Sequence, residues 1–305
     1  MNEIYAAEPT CFRNLRELNG LLKQFGPYTG RYLSAYPSSW SEMVKKNMLK
    51  HVGNVVLAAE VGPVQELGIR VVLQRALEEH RVIAGDQLPY VWNGKPWLAH
   101  ALKLIPPSGR DLDAIVTAEE SVEENVFTLD SLDIPPVADE MMGAQPREFA
   151  RVVKTLVSIS KELVFVDPYA NPCKDDVYIV LNEIFKLIAR SSCTSVVLYA
   201  RESELLKNHT RSELQAKMAV LRRESGVSIR CNLELRLVND KMSKDRIHAR
   251  YLFSQKGGIS FEQGFQRLGS GKMIPVRPMT KPILTPAIRC FINSGHDMKI
   301  ETLSA

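Results

Sequence analysis

Asp245-Arg246-Ile247-His248-Ala249-Arg250-Tyr251-Leu252-Phe253-Ser254, followed by Lys256-Gly257-Gly258-Ile259-Ser260, alternates apolar and polar residues with the period of a β-strand. Successive side chains on a strand leave opposite faces. Ile247, Ala249, Tyr251 and Phe253 therefore form one mostly apolar face, and Arg246, His248 and Arg250 line the other. An imidazole between two guanidinium groups is an anion site in outline, because all three present N–H donors. The same face reads equally as a solvated polar surface, since unpaired charges are costly to bury.

The elements before this strand set its context. Residues 147–161 place Phe149, Val152, Val153, Leu156 and Val157 at helical spacing. Residues 163–166 form a continuous apolar strand that ends in Asp167-Pro168-Tyr169, where proline denies further pairing. A helix follows from Asp175-Asp176 to Ala189, with acidic residues suiting the positive end of its dipole. Next come a strand at 195–199, a long charged helix over 202–224 interrupted near Asn208, and a strand over 227–238. Ile229, Leu233, Leu235 and Leu237 are its core candidates. Alternating strands and helices predict an α/β layered domain. Asp167 sits at the carboxyl end of a strand, where ligand sites of such domains cluster. A purely local turn is the other reading of Asp167-Pro168-Tyr169.

The first half mixes helices and strands. Leu15, Leu18, Leu21 and Leu22 predict an early helix, and residues 40–48 and 64–80 two more. Residues 81–83 and 113–116 read as short strands. Trp92 and Trp97 flank a glycine-containing turn, a patch that either packs the domain or stacks a ligand. Pro135-Pro136 to Gln145-Pro146 punctuates the chain just before a helical pattern, so a boundary is expected near residue 145. The resulting division is an α/β N-terminal domain with a mixed sheet over 1–145 and a second α/β domain over 146–305.

Composition narrows the classes. At 305 residues the chain has room for two domains, and 45% hydrophobic with 24% charged residues is an ordinary globular balance. A net charge of +4 permits a basic surface without dictating one. No apolar run reaches membrane-spanning length and no leader pattern opens the chain, so a cytoplasmic protein without a membrane partner is expected. Cys11, Cys173, Cys193, Cys231 and Cys290 are dispersed, with no CxxC pair and no histidine at metal-ligand spacing. No metal and no cofactor are expected. Gly269-Ser270-Gly271-Lys272 fails the phosphate-loop spacing, because Gln266 and Met273 occupy required positions. Lys217, Arg222, Arg223 and Arg230 could extend a basic path toward His248 or form a solvated helix face.

The order strand, Asp-Pro-Tyr, helix, strand, helix, strand and a His-x-Arg strand leading to Gly-Gly-x-Ser resembles one half of the phospholipase D-like fold. The likeness spans residues 147–292 and is carried by His248, Arg250, Gly257, Gly258 and Ser260. The active motif of that family is His-x-Lys, then Asp after four residues, then a glycine-rich turn. Here Arg250 stands at the lysine position and Gln255 at the aspartate position. The pattern is similar to a divergent single-motif branch that includes bacterial defence-associated proteins and the C-terminal domain of microtubule-interacting-and-transport proteins.

The resemblance implies His248, Arg250 and Ser260 as catalytic residues and Arg246, Gly257 and Gly258 as phosphate-binding ones. It implies a component of a bacterial anti-phage defence system that engages DNA or RNA, with other complex subunits as further partners. Two histidines are needed, one attacking phosphorus and one protonating the leaving oxygen. Of the six histidines His248 and His209 have an arginine two residues on, and only His248 leads on to Gly-Gly-x-Ser, so a metal-independent phosphodiesterase or nuclease would be a homodimer. The alternative is a catalytically inactive scaffold or sensor that docks a protein, with the Trp92/Trp97 patch as its motive. A binder of lipid headgroups is a third reading.

Overall fold

The computed structural model describes residues 2–53, 58–84, 96–105, 112–132, 139–239, 241–243 and 247–305. They form two α/β units, one of Glu3–Pro136 and one built mainly of Val137–Ala305.

The N-terminal unit runs β1 (Glu3–Ala7), α1 (Leu15–Leu22), β2 (Arg31–Ala35), α2 (Trp40–Gly53), α3 (Ala58–Glu78), β3 (Val82–Ala84), α4 (Trp97–Ala101), β4 (Ala114–Thr117) and β5 (Val126–Thr128). The strand order is β3-β2-β1-β4-β5, and every pairing between these strands is parallel. A mixed sheet was the expectation for this half. Crossovers that carry helices from β1 to β2 and from β2 to β3, and a helix-free connection over 118–125 from β4 to β5, return the chain to the same end of the sheet and so align the strands. The leucines of α1 face inward as their spacing predicts, and Asn14 caps the helix by accepting the Arg16 and Glu17 N–H groups. Trp97 is 6% exposed and donates its indole N–H to the Tyr36 carbonyl, so it packs the core. Trp92 lies outside the described residues, so of that patch only Trp97 is placed.

The C-terminal unit runs β6 (Glu140–Gly143), α5 (Pro146–Ile159), β7 (Glu162–Val166), α6 (Asp175–Ala189), β8 (Ser195–Arg201), α7 (Glu202–Leu205), α8 (Arg211–Ser225), β9 (Asn232–Val238), β10 (Tyr251–Ser254), β11 (Gly257–Phe261), β12 (Met273–Pro278), α9 (Lys281–Ala287), a π-helical turn (Ile288–Ile292) and β13 (Ile300–Ser304). Its sheet has the order β13-β9-β8-β7-β10-β11-β12-β6. β7, β8 and β9 are parallel, and the other pairings are antiparallel. The division between units falls earlier than residue 145, because β6 pairs with β12 and so belongs to the second sheet.

Both faces of this sheet are covered. Leu163 and Phe165 of β7 pack on one side with Phe149 of α5, Phe185 of α6 and Met218 of α8. Val164 and Val166 pack on the other with Met279 and Leu284. That is why β7 reads as an unbroken apolar run. α5 alone buries Phe149, Val152, Val153, Leu156, Val157 and Ile159, at about 1.5–3 kcal/mol of transfer free energy each. The helix expected over 202–224 is two helices, broken where Thr210 starts α8 with a reciprocal capping box to Glu213. Ile229 is 88% exposed, because β9 begins only at Asn232.

The decisive strand is shorter than its sequence pattern. Only Tyr251–Ser254 forms β10, residues 247–250 have no regular structure, and Asp245 and Arg246 lie outside the described residues. The reason is a missing neighbour. Tyr251 pairs with Val166, the last residue of β7, after which Asp167-Pro168-Tyr169 turns away. Within the strand the alternation holds: Tyr251 and Phe253 join one core and Leu252 the other, and Ile247, ahead of the strand, joins the first.

Candidate functional site

β7 is where the chain changes direction across the sheet, with β8 and β9 on one side of it and β10 on the other. In open α/β sheets such a switch point, outside the carboxyl ends of the parallel strands, is where ligands bind. Three segments meet there: Asp167 and Tyr169 following β7, Arg201 at the end of β8, and residues 247–250 entering β10.

Asp167 is the anchor. It is 3% exposed; Oδ1 accepts the Tyr169 N–H at 2.9 Å, and Oδ2 accepts the Phe265 N–H at 3.0 Å. Burial pushes its carboxyl above the ordinary range, against the pull of those two N–H groups and of the Arg250 charge. Gly264, at φ +75°, lets the backbone fold over this carboxylate: a Cβ there would stand 2.3 Å from Asp167 Oδ2.

Arg250 lies beside this anchor, with Nε 3.9 Å from Asp167 Oδ1 and Nη1 donating to the Glu262 carbonyl at 2.8 Å. Arg201 comes from the neighbouring strand and donates from Nη2 to the Ile247 carbonyl at 2.9 Å. Both guanidinium groups stand over the ring of Tyr169, 5.4 Å (Arg250) and 5.7 Å (Arg201) from its centre. His248 is exposed and makes no hydrogen bond or ion pair with the described residues. The result is two arginine side chains over a tyrosine that stays 41% exposed, with the exposed His248 two residues before Arg250.

Not every residue expected at the site is found here. Gly257 and Gly258 open β11, opposite Ser254 and Phe253. That places Gly258 about 10 Å and Gly257 about 13 Å along the strand from Arg250. Gly258 is demanded by packing, since a Cβ there would meet Met279 Sδ at 2.4 Å and the Phe253 Cβ at 2.7 Å. Ser260 stands opposite Tyr251 and shares its face of the sheet, toward Met279 and Leu284, whereas Arg250 shares the other face with Asp167. Gln255 is exposed in the hairpin turn, remote from His248. The described acids do not orient His248, because Asp167 serves backbone N–H groups and Glu262 meets Arg250 through its carbonyl. Arg222 bonds the Ile229 and Cys231 carbonyls at the start of β9, the opposite end of the sheet from this site.

Arg201 is the residue that sequence reading missed. Its only signal is its position at the carboxyl end of a parallel strand next to the Asp167 strand. Among the described residues no group of three or more His, Cys, Asp or Glu side chains is placed to hold a metal ion. No described helix is long and apolar enough to cross a membrane.

No protein-family model matches the chain, and no curated protein matches it. Among solved structures, a similar chain is that of TrmBL2, described as an archaeal chromatin protein that shows a novel mode of DNA binding. It is 13% identical, with 86% of this chain and 81% of that one covered, at a TM-score of 0.29.

Proposed function

We propose that the C-terminal unit engages nucleic acid through its phosphodiester backbone, with Arg250 and Arg201 holding a phosphate that the exposed His248 contacts. The observation that carries this reading is the convergence of two guanidinium groups, one from the end of β8 and one from the segment entering β10, on one ring at the sheet's switch point, with the exposed His248 two residues before Arg250. A guanidinium fork matches phosphate oxygens, and each arginine is steadied by a backbone carbonyl.

The wider identity we propose is a phospholipase D-like component of a bacterial anti-phage defence system, a setting that rests on the His-x-Arg resemblance. Cleavage in this reading belongs to a homodimer: one imidazole attacks phosphorus and the partner subunit's His248 protonates the leaving oxygen, without a metal. The alternative, a recognition subunit or scaffold that does not cleave, is favoured by the placement of Gln255 in the hairpin turn and of Ser260 on the opposite face.

The test is a titration of labelled single- and double-stranded DNA and RNA across a salt series. It compares the wild type with His248→Ala and Arg250→Ala. Arg250→Ala is expected to weaken binding to all sequences alike and to lower the salt slope by about one. Metal-free cleavage that disappears in His248→Ala supports the dimeric enzyme, and salt-sensitive binding without cleavage supports the recognition subunit. Unchanged affinity and slope in Arg250→Ala overturn the site.

A further inference from the structure

Tyr169 is engaged but not covered. Its N–H is pinned to Asp167 Oδ1 and its ring lies under two guanidinium groups, yet the residue stays 41% exposed at the mouth of the site. Each guanidinium group lies within 6 Å of the ring centre, so a base on the ring and a phosphate on the arginines can belong to neighbouring parts of one strand. Stacking a base on an aromatic side chain while arginines track the backbone is the general means of binding unpaired strands, because every base has a π-face. In a duplex those faces are already stacked on neighbouring pairs, so a single protein ring can take only an unpaired or extruded base.

We infer that Tyr169 is a stacking platform for one unpaired nucleobase, so that the site takes single-stranded nucleic acid in preference to duplex. This inference rests on the phosphodiester reading above and adds the substrate class. Arg250 and Arg201 hold the phosphate next to the stacked base, and their hold on the ring keeps it in place before the strand arrives.

The experiment uses the full chain and a labelled single strand of about 12 nucleotides, within the roughly 4–16 nucleotides that single-strand sites cover. It also uses the same strand with abasic sites throughout, and the corresponding duplex. Wild type is expected to bind the normal strand roughly tenfold to a hundredfold more tightly than the abasic strand, the range of one stacked base. Tyr169→Ala should lose that difference, and Tyr169→Phe should keep it. Loosening of the arginines by Tyr169→Ala registers on the abasic strand, so it separates from the loss of stacking. Equal wild-type affinity for normal and abasic strands, with Arg250→Ala still weakening both, overturns the platform while leaving the phosphodiester site standing. Binding that survives Arg250→Ala and Arg201→Ala undiminished removes the site itself.

Discussion

Asp167 holds the site together through bonds to its own backbone neighbourhood rather than to a ligand. Asp167→Asn keeps the shape but offers one acceptor oxygen where two N–H groups wait, at Tyr169 and at the buried Phe265. Leaving a buried donor without a partner costs about 1–3 kcal/mol, so the variant should be less stable in urea unfolding. The pH dependence has a definite sign. The folded carboxyl titrates above the ordinary value of 3.8. The unfolded state thus ionises first, and the wild type loses stability as pH rises through the folded titration. Its advantage over Asp167→Asn should therefore be largest below pH 3.8 and shrink above it; an advantage that grows with pH contradicts the assignment. Gly264→Ala acts on the same anchor from outside. Its Cβ collides with Asp167 Oδ2 and approaches Arg250 Cδ to 3.0 Å, at a φ that side chains avoid. Strain of that kind costs about 1–3 kcal/mol. A lowered melting temperature together with weakened strand binding is expected, and binding equal to wild type would detach Gly264 from the site.

At the scale of elements, α8 shows how a local signal fixes a boundary. Thr210 accepts the Glu213 N–H while the Glu213 carboxylate accepts the Thr210 N–H. The chain therefore restarts a helix immediately after the Asn208-His209 break. Thr210→Ala should cost about 1 kcal/mol with an unchanged denaturant slope, because Leu214, Met218 and Leu221 still bury the same face. Phosphate binding should be untouched, since the cap serves the helix and not the strand end. The β10–β11 hairpin teaches a different lesson. Its glycines look like a ligand loop in sequence, but Gly258 makes room for Met279 and Phe253. A glycine between two strands is often the mark of a close approach by another part of the protein.

For the whole molecule, each unit has its own sheet and its own buried clusters. Residues 137–305 expressed alone should fold with a cooperative thermal transition and retain the salt-sensitive binding of the full chain. Circular dichroism and the strand titration check this. A soluble fragment that melts cooperatively without binding would move the nucleic-acid site to a surface that needs the N-terminal unit.

Local pattern was enough for the elements and their class. The apolar run of β7, the helical spacing in α1 and α5, and the proline after Asp167 each act over a few residues, so they are readable along the chain. The partition of Tyr251 and Phe253 from Leu252 was legible for the same reason, because strand alternation is a backbone property. The length of β10 was not, because pairing needs a neighbour and β7 has already turned away. Nor was the site's membership. Arg201 is forty-nine positions from Arg250, brought beside it by the parallel pairing of β8 with β7 and the antiparallel return of β10. Ser260, Gly257 and Gly258 are close to His248 in sequence, yet the hairpin carries the glycines down the strand and turns the serine to the opposite face. Sequence therefore determined what each segment is, through interactions that decay within a turn or a strand. Only the tertiary structure decided which side chains converge, because convergence depends on strand order and register between distant segments.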